Sequence, residues 1–320
     1  MRIARKVFPT IFALIGMLLC SEATKAAQQH VFFIPPGGGL NEVTGGSGSW
    51  QSPTTFFTGV GFVTPQNSTV TSFTAGGLLY IAFFCNSAVC AMYSSDDVNW
   101  TLTNISGASN ALPPDVNSGL SGYADYNGNP RIFVGGGPSA RTGALICLMD
   151  VSVCCDITAD SGAPSPVSGS ALLGYPWNSN APIVFIASDQ HMHQAWWNGT
   201  TWNTNGITAQ CSGCTPPEFG TALMGYFWNG EPIDDYIGID QHVHQVWWNG
   251  SQMLTNDWTA GDGGHPFTTT PLTGNNGTGV FYLDPSGQLR EYRYNGTNHD
   301  TELMPFTGTP SGSGLAIAVF

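Results

Sequence analysis

Two nearly identical segments of the chain carry the side chains best suited to chemistry. DQHMHQAWWNG and DQHVHQVWWNG recur about fifty residues apart, and each contains two histidines separated by one residue. Residues at positions i and i+2 of a strand project from the same face, which pairs His191 with His193 and His242 with His244. Imidazole nitrogens are typical zinc or copper ligands, so each segment is a candidate metal-binding pair.

Ligand number argues against a metal site in either segment. Zinc usually takes three or four protein ligands, whereas each segment supplies two imidazoles. The two pairs occupy equivalent positions in different repeats, and this spacing separates them. We therefore expect the four histidines to fill polar positions of half-exposed strands, and we expect no metal or other cofactor. Metal analysis of protein purified without chelators tests the alternative.

The two segments belong to a longer repeat that predicts the fold. GYPW at Gly174 recurs as GYFW at Gly225, and GYADYNGNPRIFV from Gly122 is an earlier, more diverged copy. A fixed period of about fifty residues is typical of a solenoid or a propeller. Each unit holds four short runs rich in aromatic and β-branched residues, which Asn, Gly and Pro separate. Four strands per unit is the composition of a propeller blade.

The two ends of the repeat region predict how the blades are joined. HVFFIPPGGG near the start lacks the first strand of a unit, and GSGLAIAVF supplies one strand with no partner after it. We therefore predict an all-β fold with a single six-bladed β-propeller domain over residues 28–320. Its four-stranded antiparallel blades form a closed ring because the N- and C-terminal strands share one blade. Closure also removes exposed sheet edges.

A secretory leader precedes the predicted domain. Three basic residues near the start are followed by an apolar run from Val7 to Cys20 and then by small residues. This is the charge, core and cleavage pattern of a signal peptide over residues 1–27, so we expect a secreted protein, extracellular or periplasmic. Cys20 leaves a lipoprotein anchor as an alternative, although Leu19 is larger than the residue that usually precedes such a cysteine.

Cysteine spacing predicts local disulfides, because an oxidising compartment allows them to form. The expected pairings are Cys85 with Cys90, Cys211 with Cys214, and Cys147 with Cys154 or Cys155. The CSGC segment could also be redox-active or one half of a zinc site, but no second CxxC and no thioredoxin-like context accompanies it. We therefore expect structural disulfides.

The charge balance limits the partners. Asp and Glu number 21 against 8 Lys and Arg, for a formal net charge of −13. After the leader, the fixed cations are Arg131, Arg141, Arg290 and Arg293. Phosphates cannot be neutralised by so few cations, so we expect no nucleic-acid partner. Anionic membranes would repel the acidic surface, and no segment after the leader is long enough to span a bilayer, so we expect no membrane insertion. Abundant Gly, Ser, Thr and Asn give an uncharged polar surface that suits neutral, hydroxyl-rich ligands, and a homodimer is compatible with it.

The segment DQHVHQVWWNGSQ is similar to the repeat of the fucose-binding lectin family of fungi and bacteria. The likeness covers most of the chain after the leader and is strongest in the two central units. The resemblance implies a six-bladed propeller that binds sugars between adjacent blades. An Arg on the second strand and a Glu on the third hydrogen-bond the sugar hydroxyls, and a Trp from a neighbouring blade covers the apolar side of the ring.

The resemblance assigns candidate site residues by position. The glutamate position of four units holds Gln194, Gln245, Glu291 and Glu42. The arginine position of the same units holds, in that order, Ile183, Asp234, Val280 and Val31, whereas a fifth unit offers Arg131. Trp197 and Trp248 are the aromatic candidates. No unit has the complete set, but a Gln amide can both donate and accept hydrogen bonds.

We expect a secreted, non-catalytic, lectin-like protein that binds glycans or glycoconjugates in inter-blade pockets, with two alternatives. The missing Arg–Glu pairs favour a propeller scaffold or adhesin whose sugar sites have decayed. A propeller glycosidase would draw its carboxylate pair from Asp234, Asp235, Asp240, Glu231 and Glu291. The recurrence of Asp189 and Asp240 at equivalent hairpin positions instead favours a role in turn formation.

Overall fold

The computed structural model describes eighteen segments of the chain, which form six antiparallel sheets, blades 1 to 6. The described residues are 29–34, 39–46, 49–52, 54–57, 69–86, 88–108, 119–125, 127–135, 145–147, 157–167, 169–177, 182–228, 230–259, 272–275, 279–283, 289–294, 299–303 and 315–319. The predicted leader, Cys154 and Cys155 lie outside these segments.

The strands follow one another blade by blade along the chain. Blade 1 contains β1 (Gln29–Phe33), β2 (Leu40–Gly46), β3 (Ser49–Trp50) and β4 (Thr54–Phe57). Blade 2 contains β5 (Val70–Ala75), β6 (Leu78–Cys85), β7 (Ala88–Ser94) and β8 (Thr101–Asn104). Blade 3 contains β9 (Leu120–Ala124), β10 (Pro130–Gly135) and β11 (Leu145–Cys147).

The three later blades each contain four strands. Blade 4 contains β12 (Leu172–Gly174), β13 (Ile183–Ile186), β14 (Met192–Trp197) and β15 (Trp202–Gly206). Blade 5 contains β16 (Leu223–Trp228), β17 (Glu231–Ile237), β18 (Val243–Trp248) and β19 (Met253–Asp257). Blade 6 contains β20 (Leu272–Asn275), β21 (Gly279–Leu283), β22 (Leu289–Tyr294) and β23 (His299–Leu303), after which β24 (Leu315–Val319) joins blade 1. Two short helices, α1 (Ile105–Ala108) and α2 (Ile157–Ser161), and a 3-10 turn (Thr208–Gln210) lie between blades.

The innermost strands of the six sheets form a closed ring. β24 contacts β5, β5 contacts β9, β9 contacts β12, β12 contacts β16, β16 contacts β20, and β20 contacts β24 again. The C-terminal β24 pairs antiparallel with the N-terminal β1, with Val31 opposite Ile317. The six-bladed propeller and the blade shared by the two ends are thereby confirmed.

The second strands of blades 1 to 5 are largely buried on both faces because neighbouring blades cover them. At one equivalent position of the second strand, the described blades carry apolar side chains that are completely or almost completely buried: Val31, Ile81, Ile132, Ile183 and Val280. Near-continuous apolar runs are typical of strands that are covered on both faces. Asp234 occupies this position in blade 5 and is the exception.

Apolar clusters between blades establish which face of each strand meets which neighbour. Met192 of β14 packs with blade 5, whereas Ala195 of the same strand packs with blade 3. In β18, Val246 packs with blade 4 and Val243 with blade 6. Because side chains alternate along a strand, these contacts assign a direction to every other residue of β14 and β18.

The recurring Gly-Tyr pairs are explained by the packing of one blade on the next. A Cβ on Gly174 would lie 2.2 Å from the ring of Tyr123 in blade 3, and a Cβ on Gly122 would lie 2.2 Å from the ring of Phe73 in blade 2. The glycine of one inner strand therefore admits the aromatic ring of the preceding blade.

Two of the expected disulfides are present. Cys85–Cys90 closes the β6–β7 hairpin, and Cys211–Cys214 closes the loop after β15. The pairing of Cys147 stays a prediction, because both candidate partners lie outside the described residues. Within the described part of the chain, the helices are too short to cross a bilayer.

Candidate functional site

The strand register aligns four of the candidate site residues at one position of the third strand. Glu42 lies opposite Phe32, Gln194 opposite Val184, Gln245 opposite Asp235, and Glu291 opposite Phe281. Blades 2 and 3 carry Ala91 and Cys147 at this position, opposite Ala82 and Phe133. We call these six residues the third-strand row. Phe32 packs with blade 2 and Val184 with blade 5, so Glu42 and Gln194, which lie opposite them, face the following blade.

The same register corrects the arginine position that was expected from the sequence. Ile132 lies opposite Gly122, as Ile183 lies opposite Gly174, so Ile132 and not Arg131 is equivalent to Ile183. In four blades the arginine position was therefore assigned one residue too late, at Ile183, Asp234, Val280 and Val31. A shift of one residue turns a side chain to the opposite face of a strand. The residue of blade 1 that is equivalent to Arg131 is His30.

Arg131 pairs with a carboxylate of its own blade. Its Nε and Nη2 donate to Oδ2 of Asp125 at 3.1 and 2.9 Å. Burial favours the neutral acid, but hydrogen bonds from Asn129 and Arg131 outweigh it and lower the pKa of Asp125. Arg131 thus stabilises the turn between β9 and β10.

His30 and Glu42 occupy the Arg and Glu positions of blade 1 and are joined by a hydrogen bond. His30 Nδ1 lies 2.5 Å from Glu42 Oε1, and the two residues are 3% and 9% exposed. His30 Nε2 lies 3.6 Å from Oδ2 of Asp97, which reaches across from blade 2. Burial raises the pKa of Asp97, although the charge of His30 opposes the rise. Sequence reasoning missed His30 because the arginine position was placed at Val31.

The interface between blades 4 and 5 has an amide of the candidate set on one side and an indole of the set on the other. Gln194 is on the face of β14 that meets blade 5, together with Met192. Trp248 is on the face of β18 that meets blade 4, together with Val246. Both side chains are half-buried, and the Gln194 amide makes no hydrogen bond to any residue that the structure describes. The pair therefore offers a polar group and an aromatic surface across one interface.

Gln245 and Trp197 face other interfaces. Gln245 shares with Val243 the face that meets blade 6, and its Nε2 donates to the hydroxyl of Tyr226 at 2.7 Å. Trp197, which is 43% exposed, shares with Ala195 the face that meets blade 3. Gln245 and Trp248 thus lie on opposite faces of β18.

The carboxylates considered for glycosidase chemistry do not form a pair. Asp234 and Asp235 are adjacent on β17 and point to opposite faces of blade 5, and both are buried. Burial raises the pKa of Asp234 to about 7, with partial offset by the Tyr175 hydroxyl that donates to its Oδ2 at 3.4 Å. Burial also raises the pKa of Asp235 well above its usual value. Glu231 is exposed at the start of β17, and Glu291 is buried in blade 6.

The four histidines are held by hydrogen bonds at the hairpin ends of blades 4 and 5. His193 Nε2 lies 2.9 Å from Asp189 Oδ2, and the equivalent His244 Nε2 lies 2.9 Å from Asp240 Oδ1. His191 contacts the Thr208 hydroxyl at 3.2 Å. Asp189 Oδ1 and Asp240 Oδ1 also accept hydrogen bonds from the backbone N–H groups of His191 and His242, at 3.1 and 3.2 Å. The two Asp residues thus have the same role in their turns, in agreement with their repetition in the sequence.

Solved structures with this fold include lectins. The six-bladed propeller of the Aleuria aurantia lectin, which has a described fucose recognition mode, has 15% identity and a TM-score of 0.63 over 89% of this chain and 93% of its own. AofleA from Arthrobotrys oligospora has 9% identity and a TM-score of 0.64 over 91% and 86%. SapL1 lectin, in complex with α-methyl fucoside, has 11% identity and a TM-score of 0.60 over 88% and 92%. No protein-family profile and no curated protein matches the sequence.

Proposed function

We propose that this protein is a secreted, non-catalytic carbohydrate-binding protein that holds sugars between adjacent blades. The observation that carries the proposal is the third-strand row, in which four of six blades carry a Glu or Gln side chain. Two lectins of the same fold, one with a described fucose recognition mode and one in complex with α-methyl fucoside, support it.

The blade 4–5 interface offers the best chemistry for a neutral sugar. The Gln194 amide can accept from one hydroxyl and donate to another. The half-buried indole of Trp248 can cover the apolar face of a pyranose ring. A second candidate interface, between blades 1 and 2, holds His30, Glu42 and Asp97. Their nitrogen and oxygen atoms can form directional hydrogen bonds with a sugar, as Arg and Glu do in the fucose-binding lectin family.

The placement of the carboxylates supports a non-catalytic role. Glycoside hydrolysis requires two carboxyl groups that flank one bond, about 5 to 9.5 Å apart. Asp234 and Asp235 are buried on opposite faces of one strand, and Asp240 contacts His244 within a turn. Asp234 and Asp235 therefore cannot flank one glycosidic bond, and the Asp240 carboxylate is occupied by His244.

Secretion and multivalency complete the proposal. The two local disulfides suit an oxidising compartment, and the leader supplies the route to it. Weak sites repeated around one rigid ring, or doubled in a homodimer, raise avidity for surfaces that display several glycans. The low number of cations leaves nucleic acid and membrane insertion outside the proposed partners.

Calorimetric titration of the exported protein with fucosylated, methylated and unmodified hexose ligands tests the proposal. We expect Gln194→Ala to weaken binding at least tenfold, because its amide is directed to the ligand. Gln245→Ala is the matched control from the equivalent position of blade 5, and its amide already bonds Tyr226. Loss of affinity in Gln245→Ala with none in Gln194→Ala would move the site away from the blade 4–5 interface. No binding by protein that melts cooperatively would favour the scaffold alternative.

A further inference from the structure

Three side chains with metal-binding groups converge at the hairpin end of blade 5, and a fourth, His242, contacts one of them. His244 Nε2 lies 2.9 and 3.1 Å from the two carboxylate oxygens of Asp240. His242 Nδ1 lies 2.8 Å from Oδ2 of Asp257. Ligand atoms of Asp240, His244 and Asp257 all lie within 4.8 Å of one another. We call Asp240, His242, His244 and Asp257 the blade 5 cluster.

The fold of blade 5 produces this convergence. His242 precedes β18 by one residue and His244 lies within it, so the two imidazoles are on one face, with ring centroids 6.4 Å apart. Asp257 is directly opposite His244 in β19, and Asp240 belongs to the turn before β18. Gly238 leaves room for the cluster, because a Cβ there would lie 2.6 Å from Asp240 Oδ1 and 2.8 Å from His244 Nε2.

Blade 4 repeats the arrangement with one carboxylate missing. Asp189, His191 and His193 are the equivalents of Asp240, His242 and His244. The residue opposite His193 is Gly206, where blade 5 has Asp257. His191 contacts the Thr208 hydroxyl, whereas His242 contacts a carboxylate. Blade 4 is therefore a natural control that holds three of the four groups.

We propose that the blade 5 cluster binds one divalent transition-metal ion, with His242, His244, Asp240 and Asp257 as ligands. Two imidazole nitrogens and two carboxylates are a ligand set that zinc, cobalt and nickel accept. The two carboxylates neutralise the charge of the ion. Asp240 is exposed, and His242 and Asp257 are half-buried, so an ion can enter from solvent.

The proposal revises the expectation that was based on imidazole number alone. The sequence gives two histidines per repeat, which is too few for a closed zinc site. The structure adds two carboxylates to the histidines of blade 5, and the total reaches four. Asn substitution at Asp257 leaves Gln194 and Trp248 unchanged, so metal binding and sugar binding can be measured separately in the same variant.

Titration of the chelator-stripped full-length protein with Zn²⁺, and with Co²⁺ followed by its visible absorption, tests the site. We expect one equivalent of metal and at least tenfold weaker binding in Asp257→Asn. This substitution keeps the Oδ1 atom, which accepts a hydrogen bond from the Thr259 backbone N–H at 3.1 Å. The local backbone structure after β19 is therefore preserved. His242→Ala removes a half-buried ligand and is expected to have a similar effect.

His191→Ala, the equivalent substitution in blade 4, is the matched control and is expected to leave the stoichiometry and affinity unchanged. Thermal melts of each variant without metal verify that the ring is folded. Absence of stoichiometric metal uptake by the folded wild type would overturn the proposal. The proposal would also be overturned if both Asp257→Asn and His242→Ala left the metal affinity unchanged.

Discussion

At Asp234 an ionisable side chain occupies a buried layer that is apolar in the other five blades. Its equivalents are Val31, Ile81, Ile132, Ile183 and Val280. One carboxylate oxygen accepts a hydrogen bond from Tyr175, and the other has no partner among the described residues. Burial therefore favours the protonated acid and raises the pKa of Asp234 to about 7. The protonated acid is accommodated at this position at a lower cost than the carboxylate.

We predict that Asp234→Asn increases the free energy of unfolding at pH 8 relative to the wild type. The folded-state pKa of about 7 exceeds the ordinary aspartate value of 3.8, which applies to the unfolded chain. Between these values the unfolded chain loses the proton and the native protein keeps it, so the stability of the wild type falls as pH rises from about 4 to about 7. A shift of this size corresponds to at most about 4 kcal/mol.

Urea denaturation of both proteins between pH 4 and pH 8 measures this effect. We expect the difference in unfolding free energy to be smallest near pH 4, to grow up to about pH 7 and then to level off. A difference that stays constant over this range would contradict the assigned protonation state of Asp234.

The site residues show what sequence alone could and could not predict at this scale. Gln194, Gln245, Glu291 and Glu42 were aligned correctly because each is in a recognisable third-strand segment. His30 was missed because a shift of one residue in the second strand cannot be detected without the cross-strand register. Asp257 was missed because its equivalent in the other strong repeat is Gly206, so repetition did not single it out.

Among the strands, the contact between Gly174 of β12 and Tyr123 of β9 determines how closely blades 3 and 4 pack. Tyr123 is buried and stacks on Phe133, with ring centroids 5.4 Å apart. The ring cannot move away from a new side chain at position 174 without disturbing this stack. In blade 5 the equivalent Gly225 faces the more flexible Leu173.

We predict that Gly174→Ala destabilises the protein by about 1–3 kcal/mol, because the added methyl group overpacks the interface. Tyr123→Leu reproduces the smaller partner found at Gly225, and the double variant is expected to lose less stability than the sum of the single variants. Chemical denaturation of the four proteins measures the coupling. Strictly additive effects would show that the two residues do not constrain each other.

The blades themselves were largely predictable because turn residues and apolar runs alternate within every repeat. The four strands of blades 4 and 5 agree with the runs seen in the sequence. Blade 3 was less predictable, since a long insertion follows β10 and three strands are described there. The sequence did not reveal which neighbouring blade each face of a strand contacts. The apolar clusters between blades provide this information.

For the molecule as a whole, the ring depends on the pairing of β24 with β1. β24 also contacts the inner strands β5 and β20 on either side. Removal of β24 would leave β1 as an open edge and would interrupt the ring between blades 2 and 6. Exposed edges are sites of aggregation.

We predict that a chain ending at Gly314 melts at least 10 °C lower than the full chain, or associates into large oligomers. The temperature scale corresponds to a loss of several kcal/mol in a domain of this size, at about 2–4 °C per kcal/mol. Thermal melts combined with size-exclusion chromatography measure both outcomes. An unchanged melting temperature in a monomeric truncated chain would show that closure by β24 is dispensable.

Sugar binding between blades 4 and 5 is tested most directly by one glycan array, run in parallel on the wild type, Trp248→Ala and Trp197→Ala. Trp197 is the matched control because it faces blade 3, where Cys147 occupies the third-strand row, whereas Trp248 lies on the face of β18 that meets blade 4, where Gln194 occupies the row. We predict glycan binding by the wild type, its loss in Trp248→Ala and its retention in Trp197→Ala. An array without binding for folded wild-type protein, or binding that Trp248→Ala leaves unchanged, would contradict the account.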